Sequence, residues 1–208
     1  MFGDLVTNPM GWEKCQMGNV LSLLTDFSSN GCYEYLDSNV TMYDMPNYAL
    51  MVRTTDLEKQ DFTSDVKYIN EKAYEILGKS KLFGGEIIMN KIGSAGKVYL
   101  MPALDRPASL GRNAFLFRYL DNINPIFIYF LLISEYGESE IQKHVRGAVT
   151  KTITKDAVRS IPIITPPLHL QNCFADFVQA ADKSKFEIQK ALETLELQFN
   201  ALMQKYFG

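Results

Sequence analysis

The sequence predicts a mixed α+β fold: a globular domain of several strands and short helices, followed by one long coiled-coil helix. Three observations predict it. From Leu168 to Phe207 no glycine or proline interrupts an apolar heptad pattern. Upstream, short apolar runs at 48–55, 87–89 and 115–119 are separated by turn-forming residues, as strands are. Between and after them stand helix starts at Asn124-Pro125 and at Thr154, where a proline or a capping hydroxyl suits free backbone N–H groups.

A chain of 208 residues suits one domain with an appendage. Hydrophobic residues make up 47% and charged residues 22%, enough for a core and ordinary for a soluble protein. Cys15, Cys32 and Cys173 lie far apart and form no C-x-x-C. That excludes a disulfide framework and a cysteine zinc site, and predicts three buried or half-buried free thiols in a reducing compartment. The first ten residues contain Asp4, Asn8 and Pro9 and do not read as a signal peptide. The strongest apolar run, 126–133, is much shorter than the ~20 residues of a membrane span and reads as a core helix. The expected location is cytoplasmic, with no membrane partner.

In chain order, residues 1–10 read as a tail or linker, and Gly11 and Trp12 open the folded region, with Trp12 in the core. Residues 17–21 suit a short helix or turn. Pro46 and Asn47 introduce a strand over 48–55. Residues 82–100 predict a hairpin, with strands at 87–89 and 97–100 joined by Gly93-Ser94-Ala95-Gly96. A further strand covers 115–119. The helix opened by Pro125 is broken or weakened at Gly137, and 147–154 is a polar loop. Thr154 caps a helical turn through Val158, and a strand at 160–164 is closed by Thr165-Pro166-Pro167. The domains predicted are 11–165 and the helix 166–208.

The helix carries Phe174, Val178, Ala181, Lys185, Ile188, Leu192, Leu195, Phe199, Leu202 and Tyr206 at alternating spacings of four and three. That is a coiled-coil seam, broken only by Lys185. At ~1.5 Å per residue the helix is about 60 Å long, more than its own domain can cover. Val178, Ala181, Ile188, Leu192, Leu195, Phe199, Leu202 and Tyr206 are therefore the expected dimerisation contacts.

Charge is uneven along the chain. Residues 79–119 hold seven basic and two acidic residues, and 141–159 five basic against one acidic, within a chain of net charge −3. That pattern predicts a basic face on an acidic body. Both segments are loop-like. Cations, amides and hydroxyls suit phosphates and base edges, and glycines allow close backbone approach.

Several enzymatic motifs fail. Gly93-Ser94-Ala95-Gly96-Lys97 is not a phosphate-binding P-loop, because Lys91 stands where the first glycine belongs and Val98 where a Ser or Thr would hold magnesium. No glycine-rich cofactor loop and no Asn/Asp-Pro-Pro-aromatic segment supports a methyltransferase. Asp61, Asp65 and Lys67 faintly suggest a metal-dependent nuclease, at very short spacing. His144 and His169 lie near no nucleophile in sequence. No cofactor, no metal site and no catalytic residue is expected.

Several segments together resemble the specificity (S) subunit of type I restriction–modification systems. Gly11-Trp12-Glu13 followed by Met17-Gly18-Asn19-Val20 resembles that family's domain opening. Met51-Val52-Arg53-Thr54-Thr55-Asp56-Leu57 resembles its R-x-x-D strand. Gly85-Glu86-Ile87-Ile88-Met89, then Gly93 to Lys97, resembles its hairpin. Residues 147–164, then Pro166-Pro167-Leu168 and Gln171, resemble its approach to the conserved helix, with Leu170 where glutamate is usual. The match covers nearly the whole chain.

The resemblance implies a non-catalytic DNA-recognition subunit that directs methyltransferase (M) subunits, and through them restriction (R) subunits, to a site on double-stranded DNA. A full S subunit has two recognition domains and two such helices; this chain has one of each. Phe2-Gly3-Asp4 and Tyr206-Phe207-Gly208 resemble the two sides of the inter-repeat junction. The chain thus resembles a half subunit, natural or cut from a longer protein, that can pair its helix antiparallel in a homodimer and read a palindromic, interrupted site. The expected DNA contacts are Arg53, then Asn90, Lys91, Ser94 and Lys97, then Arg112 and Asn113, and finally Arg146, Lys151 and Thr152. Arg53 could instead be an internal strut, and Arg112 and Asn113 could shape a turn. Two other readings stay open: a coiled-coil protein–protein adaptor, and a small metal-dependent nuclease using Asp61 or Asp65.

Overall fold

Successive residues of a strand point to opposite faces, so a strand apolar at every position must be buried on both. Three such runs stand out: Ala-Leu-Met-Val at 49–52, Ile-Ile-Met at 87–89 and Ala-Phe-Leu-Phe at 114–117. In a computed structural model of the chain, which describes Gly3 and residues 6–207, these runs lie in the middle of four packed layers.

The strands are β1 (Glu13–Gln16), β2 (Leu21–Asp26), β3 (Ala49–Val52), β4 (Lys67–Ile69), β5 (Lys81–Leu82), β6 (Ile87–Asn90), β7 (Val98–Leu100), β8 (Ala108–Leu110), β9 (Ala114–Tyr119) and β10 (Pro162–Thr165). The helices are α1 (Tyr33–Asn39), α2 (Thr54–Lys59), α3 (Glu71–Ile76), α4 (Pro125–Ile133), α5 (Glu135–His144), α6 (Lys155–Arg159) and α7 (Leu168–Phe207). One sheet has the order β2-β9-β6-β7 and is antiparallel throughout. The other, β4-β3-β8-β5, is mixed, with β3 and β8 parallel. β1 and β10 form a separate antiparallel pair.

Side-chain alternation sorts the core. Ile87 and Met89 of β6, with Phe115 and Phe117 of β9, face Phe127, Ile128 and Leu131 of α4. Ile88 and Leu116, one residue out of phase, meet Leu50, Val52 and Leu110 of the second sheet. Ala49 and Met51 turn outward again to Leu36 of α1 and Ala73 of α3. The layers are therefore helices, sheet, sheet, helices. Each fully buried large side chain contributes about 1.5–3 kcal/mol.

The predicted hairpin is present: Met89 pairs with Val98, and Lys97 belongs to the connection instead of the second strand. The strand expected over 48–55 ends at Val52. There the Asp56 carboxylate accepts the Arg53 backbone N–H at 2.8 Å, a capping interaction that starts α2 and makes Thr54 and Thr55 helical. α4 starts at Pro125 as expected, and Asn124 caps it, accepting from Ile126 at 2.9 Å. The break after α4 falls at Ser134 and not at Gly137: extended Ser134 caps α5 by accepting the Gly137 N–H. Gly137 makes room for that corner, since a Cβ there would lie 2.1 Å from the Leu131 carbonyl oxygen. The last strand is shifted to Pro162–Thr165 because Ser160 still belongs to the end of α6. Trp12 is half-buried against the first core cluster. Cys15 is half-buried, but Cys32 and Cys173 are exposed. Of the junction-like residues, Phe2, Asp4 and Gly208 lie outside the described residues.

α7 is rooted in the domain by its first two turns. Gln171 is buried; its side-chain oxygen accepts the Asn124 backbone N–H at 2.9 Å and its amide donates to the Pro166 carbonyl at 2.7 Å. Phe174 stands edge-on to Phe127 and Phe130. After Val178 every described side chain of the helix is exposed, so roughly 40 Å of helix leaves the domain. Gln171→Ala strips both backbone groups of their partner. The expected cost is about 1–3 kcal/mol, read as a lower urea midpoint with an unchanged slope.

Candidate nucleic-acid interface

Strand order carries polar residues from distant parts of the sequence to one end of the sheets. β2 ends at Asp26 beside the start of β9, and β6 ends at Asn90 opposite Ala114. β3 and β8 end side by side at Val52 and Leu110, and Gly111 to Asn113 then lead directly into β9. The loop before α6 joins them: Ile153 donates to the Lys91 carbonyl at 3.0 Å and Gly93 to the Lys151 carbonyl at 2.9 Å. Arg146 and Thr152 exchange both backbone hydrogen bonds, at 2.8 and 2.7 Å. All ten residues expected to touch DNA stand at this end, on the strand ends and loops just traced.

A buried carboxylate ties the segments together. Asp26 accepts from Lys91 at 2.8 Å, Lys155 at 2.9 Å and Ser29 at 2.6 Å. Burial alone would raise its pKa. The hydrogen bonds from Lys155, Lys91 and Ser29 outweigh that and hold the carboxyl down at about 2. Lys91 is therefore a brace with a largely covered side chain. Asn90 does not reach the surface, because β6 runs one residue past Met89: its amide turns inward to the Tyr99 hydroxyl at 3.3 Å. Arg53 is half-buried and paired within the chain. Its guanidinium pairs with Asp56 at 2.7 Å and donates to the Asp65 carbonyl.

The other candidates face outward or line the surface. Ser94 is exposed on the hairpin connection, and Lys97 beside it pairs with Glu58 of α2. Arg112 pairs with Asp37 at 3.1 Å and lies over the rings of Phe27 and Tyr33, 5.1 and 5.4 Å from their centroids. Asn113 has φ of 71°, and its carbonyl accepts the Lys91 N–H, so its backbone shapes the turn while its side chain is exposed. Thr152 is half-buried. Arg146 and Lys151 are exposed and have no carboxylate partner among the described residues. Between segments 53–55 and 111–113 lies a cavity of about 290 Å³ lined in part by Phe27, Met51, Thr54 and Arg112.

The local charge is thus milder than the sequence suggests. Asp26, Asp37 and Glu58, all from outside the two basic segments, pair with Lys91, Lys155, Arg112 and Lys97 and offset three of those four charges. The sequence reading missed Asp26, Ser29 and the role of Lys155, whose contacts span up to 129 positions. The nuclease residues do not converge. Asp61 accepts the backbone N–H groups of Ser64 and Thr63, which hold its carboxyl well below the usual range, while Lys67 pairs with Asp44. Among the described residues no three His, Cys, Asp or Glu side chains gather as metal ligands, and no helix is long and apolar enough to cross a membrane.

The Asp26 brace has a pH signature. A carboxyl whose pKa falls on folding stabilises above its unfolded value, about 3.9, and that contribution is lost as pH drops through the folded value. Stability should fall between about pH 4 and pH 2 by roughly 2 kcal/mol more in the wild type than in Asp26→Asn. Parallel pH profiles of urea midpoints for the two proteins would refute the brace.

Residues 10–197 match the family described as the type I restriction modification DNA specificity domain. The chain is 24% identical over 205 residues to the putative type I restriction enzyme MjaX specificity subunit of Methanocaldococcus jannaschii, covering 96% of this chain and 46% of that protein. Its fold is similar to a chain in a type I R-M system solved for its complex assembly (TM-score 0.61, 16% identity, 95% of this chain and 45% of that one). It is also similar to the S subunit from M. genitalium (TM-score 0.54, 15% identity, 96% and 46%) and to the HsdS subunit from Thermoanaerobacter tengcongensis (TM-score 0.56, 16% identity, 88% and 40%). The chain spans less than half the length of each of these relatives. The family match runs from ahead of β1 to deep within α7, through both sheets and the loop cluster, and the chain belongs to the type I restriction modification DNA specificity domain family.

Proposed function

We propose that this chain is the sequence-reading element of a type I restriction–modification system. Residues 11–165 recognise one half of a bipartite site in double-stranded DNA, and 166–208 pair with a second copy as an antiparallel homodimer. M subunits dock on this dimer and bring R subunits. Methylation and cleavage belong to those subunits, and this chain contributes no catalytic residue and no cofactor. The observation that carries the reading is the gathering of the expected DNA contacts at one end of the sheets, with Arg146 and Lys151 lacking carboxylate partners there.

Within that cluster the roles divide. Arg146 and Lys151 contact phosphates, while Ser94, Lys97, Arg112 and Asn113 approach base edges or the backbone. Thr152 sets the loop. Arg53, Asn90 and Lys91 shape the surface from within. The system acts in the cytoplasm, where its DNA is. The adaptor reading retains only the helix and predicts no sequence preference.

Lys151→Ala should weaken DNA binding by the complex with M subunits roughly five- to tenfold near 0.1 M salt. It should also make the slope of log K against log salt shallower by about one. An unchanged slope removes Lys151 from the contacts, and a complex with no preference among DNA sequences leaves the adaptor. Leu192→Asp buries a charge in the seam and should give monomers by sedimentation equilibrium; an unchanged mass would contradict pairing there. Methylome sequencing of cells carrying the chain and its M subunit should show a palindromic bipartite motif, whereas an asymmetric one would mean a second, different half.

A further inference from the structure

The exposed part of α7 holds enough information to choose how two copies align. Ile188 is 69% exposed and Leu195 61%, so the seam has no cover within its own chain. The argument rests on the antiparallel homodimer proposed above. A parallel pair would place Lys185 against Lys185 inside the seam, which opposes that orientation. Seam positions fall into two sets seven residues apart, one containing Ala181, Ile188, Leu195 and Leu202, the other Val178, Lys185, Leu192 and Phe199. Reversing one helix sets one class against the other, and the permitted registers differ by whole heptads.

One register covers the free seam from Val178 to Leu202 and brings Tyr206 level with Phe174, which is half-buried at the edge of the domain. It sets Val178 against Leu202, Ala181 against Phe199, Lys185 against Leu195 and Ile188 against Leu192. Slipping one heptad in one direction puts Leu202 on Gln171, which is buried in the domain. Slipping in the other leaves Val178 uncovered and sets Lys185 against Leu202.

Charge separates the remaining two. At about 3.6 residues per turn, Glu196 lies on the same flank of the helix as Lys185. A two-fold axis keeps like flanks together. In the covering register Glu196 of the second copy therefore comes within about one residue of rise of Lys185, whereas in the slipped register that place holds Met203.

The apolar surface agrees. Outside the seam, Met203 and Phe207 are exposed on the Lys185 flank, widening the stripe at the end of the helix. On that same flank, at the root of the helix, Val178, Gln179 and Asp182 border a groove of about 760 Å³ whose far wall includes Leu100, Tyr129 and Phe130. The covering register brings Met203 and Phe207 of the second copy beside this groove.

We infer that two copies pair in this one register, with Phe199 over Ala181, Lys185 paired with Glu196 of the second copy, and Phe207 seated at the root end of the groove, level with Cys173. The test uses the full chain with Cys32 and Cys173 replaced by serine. Ala181→Cys with Phe199→Cys should give a disulfide-linked dimer on mild oxidation, and Ile188→Cys with Phe199→Cys should not. The reverse pattern overturns the register while leaving the homodimer intact; a monomer at every concentration overturns both. Lys185→Glu should weaken the dimer roughly tenfold, and adding Glu196→Lys should restore it; no restoration overturns the charge pairing. Phe207→Asp should also weaken it roughly tenfold, and an unchanged dissociation constant overturns the groove contact.

Discussion

The fold depends on β3, β6 and β9 being buried on both faces. A strand in that position has no face left for polar side chains, and an unpaired polar group among them would cost several kcal/mol. Polar residues are excluded to the strand ends. Because β2, β3, β6 and β8 all finish at the same end, their following loops converge without any loop needing to be long. The Asp26 carboxylate then fixes the convergence, joining the end of β2 to the hairpin through Lys91 and to α6 through Lys155.

Such a surface holds carboxylates among its cations. Lys97 and Glu58 are each about half exposed, as are Arg112 and Asp37. Exposed pairs of this kind contribute at most about 1 kcal/mol, so a phosphate can displace the carboxylate at small cost. The Asp26 carboxylate does not exchange so readily, because giving it up would leave two partly covered lysines without a counter-charge. The same fold therefore provides cations of two kinds: Lys91 and Lys155 hold the loops in place, and Arg146, Lys151, Lys97 and Arg112 remain available to a polyanion.

What the sequence made legible follows from the range of the forces involved. The hairpin, the caps at Asn124 and Thr154, and the long helix are local, set by alternation, capping and heptads, and they stand where those patterns put them. β3 ends earlier than its apolar run suggests because the Asp56 carboxylate, accepting the Arg53 N–H, outcompetes strand propensity at Thr54 and Thr55. Strand β8 and the two-residue β5 are too short to show periodicity, and β1 is mostly exposed. Within the site, cations were found by type, but their partners were not. Asp26 and Lys155 are far apart in the chain and meet only because β2 and the loop after α5 reach the same sheet end. Asn90 lies inside because β6 extends one residue beyond the apolar run 87–89, which gives its side chain the inward phase of Ile88.

The helix and the loop cluster are useful to each other only if the joint between them is stiff. A helix about 60 Å long converts small angular play at its root into ångströms at its tip. Here the root is held by the Gln171 side chain, bonded both to Pro166 behind it and to the start of α4, and by Phe174 wedged against Phe127 and Phe130. α4 in turn packs on the β6 and β9 faces that position the loops. One apolar layer thus connects the start of α7 to the strand ends at the candidate interface. In a pair of such chains, a rigid joint would make the distance between the two loop clusters a property of helix length and register, set by α7 and not by the loops themselves.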